Sequence, residues 1–131
     1  MSIAPKPGDQ LPVMRVAAVD REAVLNYVTC AGDDNPIHTD ETAAHAAGLS
    51  GLVLPGMLIA AQFPRLLQLW GEPVRLVDFS VQFIAPLAID RPFVVTGKVV
   101  ARAHGGQTVI RMTAQDGRSV VAMAEARVAP L

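Results

Sequence analysis

Pro55-Gly56-Met57-Leu58-Ile59-Ala60-Ala61-Gln62-Phe63-Pro64-Arg65-Leu66-Leu67-Gln68-Leu69-Trp70 is apolar on nearly every side. A surface helix carries one apolar stripe, so a helix apolar all round belongs inside a core. Gly71 suits its C-terminal end. Pro64 lacks an N–H and its ring crowds the preceding turn, so it must kink or split the helix. Beyond Pro73 the chain turns valine-rich and β-branched, and Val74 to Phe83, Phe93 to Arg102, Thr108 to Ala114 and Ser119 to Val128 read as four consecutive strands. His104-Gly105-Gly106 and Asp116-Gly117 separate the last three as tight turns, which predicts a largely antiparallel sheet. Helix and strands would each leave an apolar face bare without the other. The expectation is one α+β domain spanning residues 1–131.

Upstream of the buried helix, Leu11 to Val19 alternates loosely, as a short strand or extended entry segment. Asp20 reads as the N-cap of a helix over residues 21–31, with Val24, Leu25, Tyr27 and Val28 as its apolar face. Gly32 to Pro36 breaks that helix. Thr39 or Asp40 can cap a second, short helix over Glu41 to Ala47 that ends at Gly48. A loop therefore holds Asp33 through His38 between two helices.

Eleven basic against twelve acidic residues give a net charge of -1, which provides no electrostatic footprint for DNA or RNA. The 51% hydrophobic content exceeds what a typical soluble monomer carries, and the surplus suits a subunit interface or an apolar ligand channel. A single cysteine, Cys30, excludes an internal disulfide and a cysteine-based zinc site, and its expected place is in buried packing. Pro5, Pro7, Gly8 and Asp9 occupy positions where a signal peptide needs an apolar run, and no stretch reaches the length of a membrane span. These features predict a soluble, cytoplasmic protein. His45 and His104 fall where solvent exposure is the ordinary outcome. Arg65, Arg75, Lys98 and Arg102 are scattered basic residues, able to meet a ligand's phosphates but usually solvated surface charges.

Asp33 and His38 are five positions apart, about 140° around a helix at 100° per residue, so a helix would separate them. Pro36 pushes Asn35 out of the helical region, and a turn can bring carboxylate and imidazole together. An imidazole titrates near neutral pH and a neighbouring carboxylate can take or orient a second proton, so the two together can activate one water. Leu54-Pro55-Gly56-Met57 stands at the head of the apolar helix, where unpaired N–H groups collect positive potential and the Gly56 N–H can polarise a carbonyl oxygen. Taken singly, each feature has a plainer explanation. Asp-Asn-Pro is ordinary turn and capping chemistry, His38 can be a structural histidine, and Pro55-Gly56 a mere helix start.

The combined pattern Gly32-Asp33-Asp34-Asn35-Pro36-Ile37-His38, followed by Asp40, Ala44, Gly48 and Leu54-Pro55-Gly56-Met57-Leu58, closely resembles the MaoC-like, (R)-specific enoyl-CoA hydratase family. Phe83-Ile84-Ala85-Pro86-Leu87 looks like that family's F-x-x-P strand end, so the resemblance covers essentially the whole chain. It implies a hot-dog fold, a curved antiparallel sheet wrapped around a long central helix. It implies Asp33 and His38 as the catalytic pair, the Gly56 N–H as oxyanion donor, and Asn35, Pro55 and Met57 as residues supporting or binding the substrate. The implied reaction is syn hydration of a trans-2-enoyl thioester, or its reverse, with no cofactor and no metal. The implied partners are an acyl-CoA or acyl carrier protein substrate and a second subunit, a homodimer or a heterodimer, with the acyl chain near the subunit boundary.

One departure is Pro55, where the family usually carries histidine. A partner-dependent subunit, a noncatalytic acyl-thioester binding domain and a hot-dog thioesterase are the alternatives. The last is disfavoured by residue type, because the polar side chains between Pro55 and Gly71 are Gln62, Arg65 and Gln68, with no carboxylate.

Overall fold

The computed structural model describes residues 4–117 and 119–131. The first three residues of the proline-containing lead lie outside that range. Strand β1 (Met14–Val16) precedes helix α1 (Arg21–Ala31), a 3₁₀ turn (Pro36–His38), and helices α2 (Glu41–Ala46), α3 (Gly56–Ala60) and α4 (Gln62–Trp70). The four strands β2 (Val74–Phe83), β3 (Phe93–Arg102), β4 (Thr108–Asp116) and β5 (Ser119–Pro130) follow. Together the strands make one five-stranded sheet in the order β1-β3-β4-β5-β2, with every pairing antiparallel. No helix among the described residues is long and apolar enough to cross a membrane.

The local signals act as their chemistry requires. Asp20 accepts the Ala23 N–H at 2.9 Å to start α1, and Gly32 ends it in the left-handed region at φ 71°. Asp40, rather than Thr39, caps α2. The sheet bends where an extra residue enters a strand, between Leu76 and Asp78 on β2, between Val99 and Ala101 on β3, and opposite Ala114/Gln115 on β5.

The central helix is two helices. The break falls at Ala61, three residues before Pro64, which places the proline in the first turn of α4 where an N–H would have no helical partner. Phe63 and Leu66 of α4 are fully buried. Gly97 on β3 makes room for Leu66, since a Cβ there would meet Leu66 Cδ2 at 3.2 Å and Leu11 Cδ2 at 3.1 Å. Phe63 also packs against Phe79 of β2, ring centres 6.4 Å apart and tilted by 59°.

Two sequence expectations fail. Cys30 is exposed, because Val24 and Val28 define the buried side of α1 and two further residues rotate Cys30 by about 200°, to the opposite side. Leu25, expected on the same apolar face, is likewise turned outward.

Candidate active site

Three short backbone devices build the Asp33–His38 loop. Gly32 reverses the chain after α1, and the Asp33 N–H bonds the Val28 carbonyl at 3.0 Å, which fixes where the carboxylate starts. Asp33 Oδ1 then accepts the Asn35 N–H at 3.1 Å, and Asn35 Oδ1 accepts the Ile37 N–H at 3.3 Å. These are consecutive Asx turns, the local chemistry that Asp and Asn favour. The 3₁₀ turn that follows, begun by Pro36, brings His38 back toward Asp33.

His38 is buried. Its Nδ1 lies 2.8 Å from the Val53 carbonyl, which can only accept, so Nδ1 carries a proton. The Val53 N–H in turn reaches the Ile37 carbonyl at 3.4 Å. Segment 52–54 is itself held to the stretch after β2, by a bridge between Val53 and Ala88 and a 2.8 Å bond from the Leu54 N–H to the Leu87 carbonyl. The imidazole is thus oriented by backbone from three parts of the chain. Its other nitrogen, Nε2, faces Asp33 Oδ2 at 3.5 Å. That spacing exceeds a good direct hydrogen bond, and both atoms remain able to accept from one donor placed beside them.

An open recess of about 340 Å³ adjoins His38, while Asp33 stands behind it, off the recess wall. His38, Asn35 and Gly56 bring polar groups to it, while Ile37, Phe83 and Leu87 supply apolar wall. Asp33 keeps 32% of its side-chain surface open to solvent, so water reaches the carboxylate.

The structure therefore gathers His38, Asn35 and Gly56 on the recess, with Asp33 beside His38 and Asn35 but not on the recess wall. Asp34 points to solvent. Pro55 and Met57 do not line the recess: Pro55 is fully buried at the head of α3, and Met57 is 64% exposed. His45 and His104 are exposed, as expected. Arg65 donates to Gln62 Oε1 at 2.6 Å, and Arg102 to the Pro5 carbonyl at 2.7 Å. Among the described residues no group of three or more His, Cys, Asp or Glu side chains converges as a metal site would require.

Sequence reasoning missed the Val53 carbonyl, and no side-chain pattern announces a backbone acceptor. Phe83 to Leu87 was visible as a motif, but not that it forms a wall facing His38's loop.

Residues 3–122 match the family model described as MaoC like domain. The chain belongs to the MaoC-like domain family. Among curated relatives, a mitochondrial 3-hydroxyacyl-[acyl-carrier-protein] dehydratase of Solanum lycopersicum is 35% identical over 66 residues, covering 50% of this chain and 40% of the relative. The Arabidopsis thaliana mitochondrial 3-hydroxyacyl-[acyl-carrier-protein] dehydratase is 32% identical over 84 residues, 64% of this chain and 49% of the relative. This chain thus matches about half or less of the length of those two proteins. A structure named MaoC-like dehydratase superposes with TM-score 0.87 at 28% identity, covering 96% of this chain and 41% of that one. The (R)-hydratase from A. caviae involved in PHA biosynthesis superposes with TM-score 0.85 at 20% identity over 99% of this chain and all (100%) of that one, a likeness of fold. The fold is the hot-dog fold, with its central helix divided at Ala61.

Proposed function

We propose that this MaoC-like domain adds water across the C2–C3 double bond of trans-2-enoyl thioesters, giving (R)-3-hydroxyacyl thioesters, or catalyses the reverse dehydration. The observation that carries the reading is the 3.5 Å approach of Asp33 Oδ2 to His38 Nε2 beside a largely apolar recess. Because Nδ1 is committed to the Val53 carbonyl, Nε2 is the nitrogen available to the reaction. A water held between Nε2 and Asp33 gives its proton to Nε2 as its oxygen bonds C3. Electron density moves into the thioester, whose developing oxyanion takes a hydrogen bond from the Gly56 N–H, and the imidazolium returns the proton to C2. H and OH then add from the same face, with one water consumed and no net charge change. Asp33 orients the water and stabilises the transient imidazolium, as a carboxylate beside histidine does in other general-base systems.

The dehydratase names of the curated relatives agree with this chemistry, and the substrate is read as an acyl-CoA or an acyl carrier protein thioester. The lone Cys30 suits a reducing cytoplasm as its setting. The working unit is read as a dimer joined along β2, a ten-residue strand at the sheet's edge with Leu76 and Val77 45% and 42% exposed.

The deciding experiment follows loss of the enoyl absorbance of crotonyl-CoA and longer enoyl-CoAs, with the product's configuration assigned by chiral analysis. Turnover to the (R)-3-hydroxyacyl-CoA is the expected result. Binding without turnover at every chain length would make the domain an acyl-thioester carrier instead, and release of free thiol would make it a thioesterase.

A further inference from the structure

One wall of the recess has no part in moving protons. Phe83 ends β2, lies outside the buried core cluster, and is 50% exposed despite its size. Its ring packs directly on Gly56: a Cβ at position 56 would lie 3.0 Å from both Cε1 and Cζ of the ring and 3.3 Å from Cδ1. Gly56 is not among the glycines with positive φ, so its backbone conformation is open to any residue. A side chain here would press on the aromatic ring, which would have to give by a few tenths of an ångström. The pairing of a ring at 83 with an absent side chain at 56 stands on the wall of the recess, next to the N–H assigned to the thioester oxygen.

An aromatic face left half in water gains free energy only when something apolar covers it. Ile84, beside it in sequence and also on the recess wall, is 48% exposed, so the uncovered apolar surface is continuous there. We propose that Phe83 is the residue that sets the size of the acyl group, its ring forming the stop against which the carbons beyond C3 pack. The inference rests on the acyl-thioester reading above and names the side chain that selects among such substrates. Shortening the side chain extends the recess and admits longer or branched acyl groups. Enlarging it has the opposite effect. Hydrophobic pockets of this kind discriminate single methylenes by about 10-fold or more, so the change is measurable.

The test uses saturated acyl-CoAs from butyryl to dodecanoyl, bound to the full chain and followed by calorimetry, so that its outcome does not depend on turnover. In Phe83→Ala the preferred chain length moves up by roughly two carbons or more, and the ratio of long-chain to short-chain affinity rises about 10-fold. Phe83→Leu moves it in the same direction by less, and Phe83→Trp moves it down. Gly56→Ala alone weakens binding at all lengths, and Phe83→Ala added to it restores at least half of the loss, the non-additivity expected of side chains in contact. Thermal unfolding and sedimentation confirm that each variant keeps its fold and assembly.

Equal weakening at every chain length, an unchanged preference, or no rescue in the double variant would each overturn the proposal. A wild-type chain that hydrates crotonyl-CoA while its variants keep one preference removes this inference and leaves the function standing. Binding with the shifts described but no turnover does the reverse. Absence of binding to every acyl-CoA overturns both.

Discussion

Asp33 and Asp34 are adjacent carboxylates with different fates. Asp33 has one oxygen held by the Asn35 N–H and the other aimed at His38 Nε2, whereas Asp34 points to solvent. Replacing Asp33 with Asn keeps the volume but removes the charge that orients water and supports an imidazolium. Enoyl-CoA hydration by Asp33→Asn should fall by about 10²- to 10⁴-fold with the melting temperature nearly unchanged. His38→Ala should fall by at least as much, and it should also lose stability, because it opens a buried site and strands the Val53 carbonyl. Asp34→Asn should change neither, and equal losses at 33 and 34 would contradict the division of roles. Pro55 belongs to this scale too. It is fully buried at the head of α3, next to Gly56 and off the recess wall.

At the scale of elements, the site depends on pieces too short to stand alone. Helix α2 has six residues, well below the length at which an isolated helix is stable, and its start relies on Asp40 accepting the Thr42 and Ala43 N–H groups at 2.9 and 3.4 Å. Asp40→Ala should cost about 1 kcal/mol of stability in denaturant unfolding and speed amide exchange in residues 41–46. Helix α4 is fixed by packing instead. Leu66 is fully buried against Gly97, so Leu66→Ala should cost about 2–5 kcal/mol, far more than the exposed Leu69→Ala on the same helix. Most of these elements were legible beforehand, because caps, glycines and valine-rich runs act over a few residues. The division of the central helix was legible only as a consequence of Pro64. Its position at Ala61 was not, since a proline is accommodated best in a first turn and the chain could satisfy that only by breaking upstream. Cys30 and Leu25 were misplaced for a related reason: an apolar count does not say which side of α1 the sheet will cover.

For the whole molecule, the informative feature is what the sheet leaves unfinished. β2 pairs with β5 on one side and with nothing among the described residues on the other. A long edge strand with exposed leucine and valine is a surface that proteins ordinarily cover or charge. Leu76→Lys/Val77→Lys should therefore halve the sedimenting mass if β2 joins two subunits, with the monomer's own stability changing by about 0.5 kcal/mol or less because both side chains are exposed. An unchanged mass would rule β2 out as a subunit contact.

The α+β class, the antiparallel strands, the turn at residues 32–38 and the residue types available for acid-base chemistry could all be read from the amino-acid order. Each of these depends on local propensity or on a pattern repeating over a few positions. Tertiary structure alone decided that β2 would cross to the far edge beside β5. It alone decided that the Val53 carbonyl would hold the His38 ring, that Nε2 would come within 3.5 Å of Asp33, and that a phenyl ring would pack against Gly56. Those contacts join residues far apart in the chain, and they arise only when burying the helices against a curved sheet brings distant backbone and side chains into one volume.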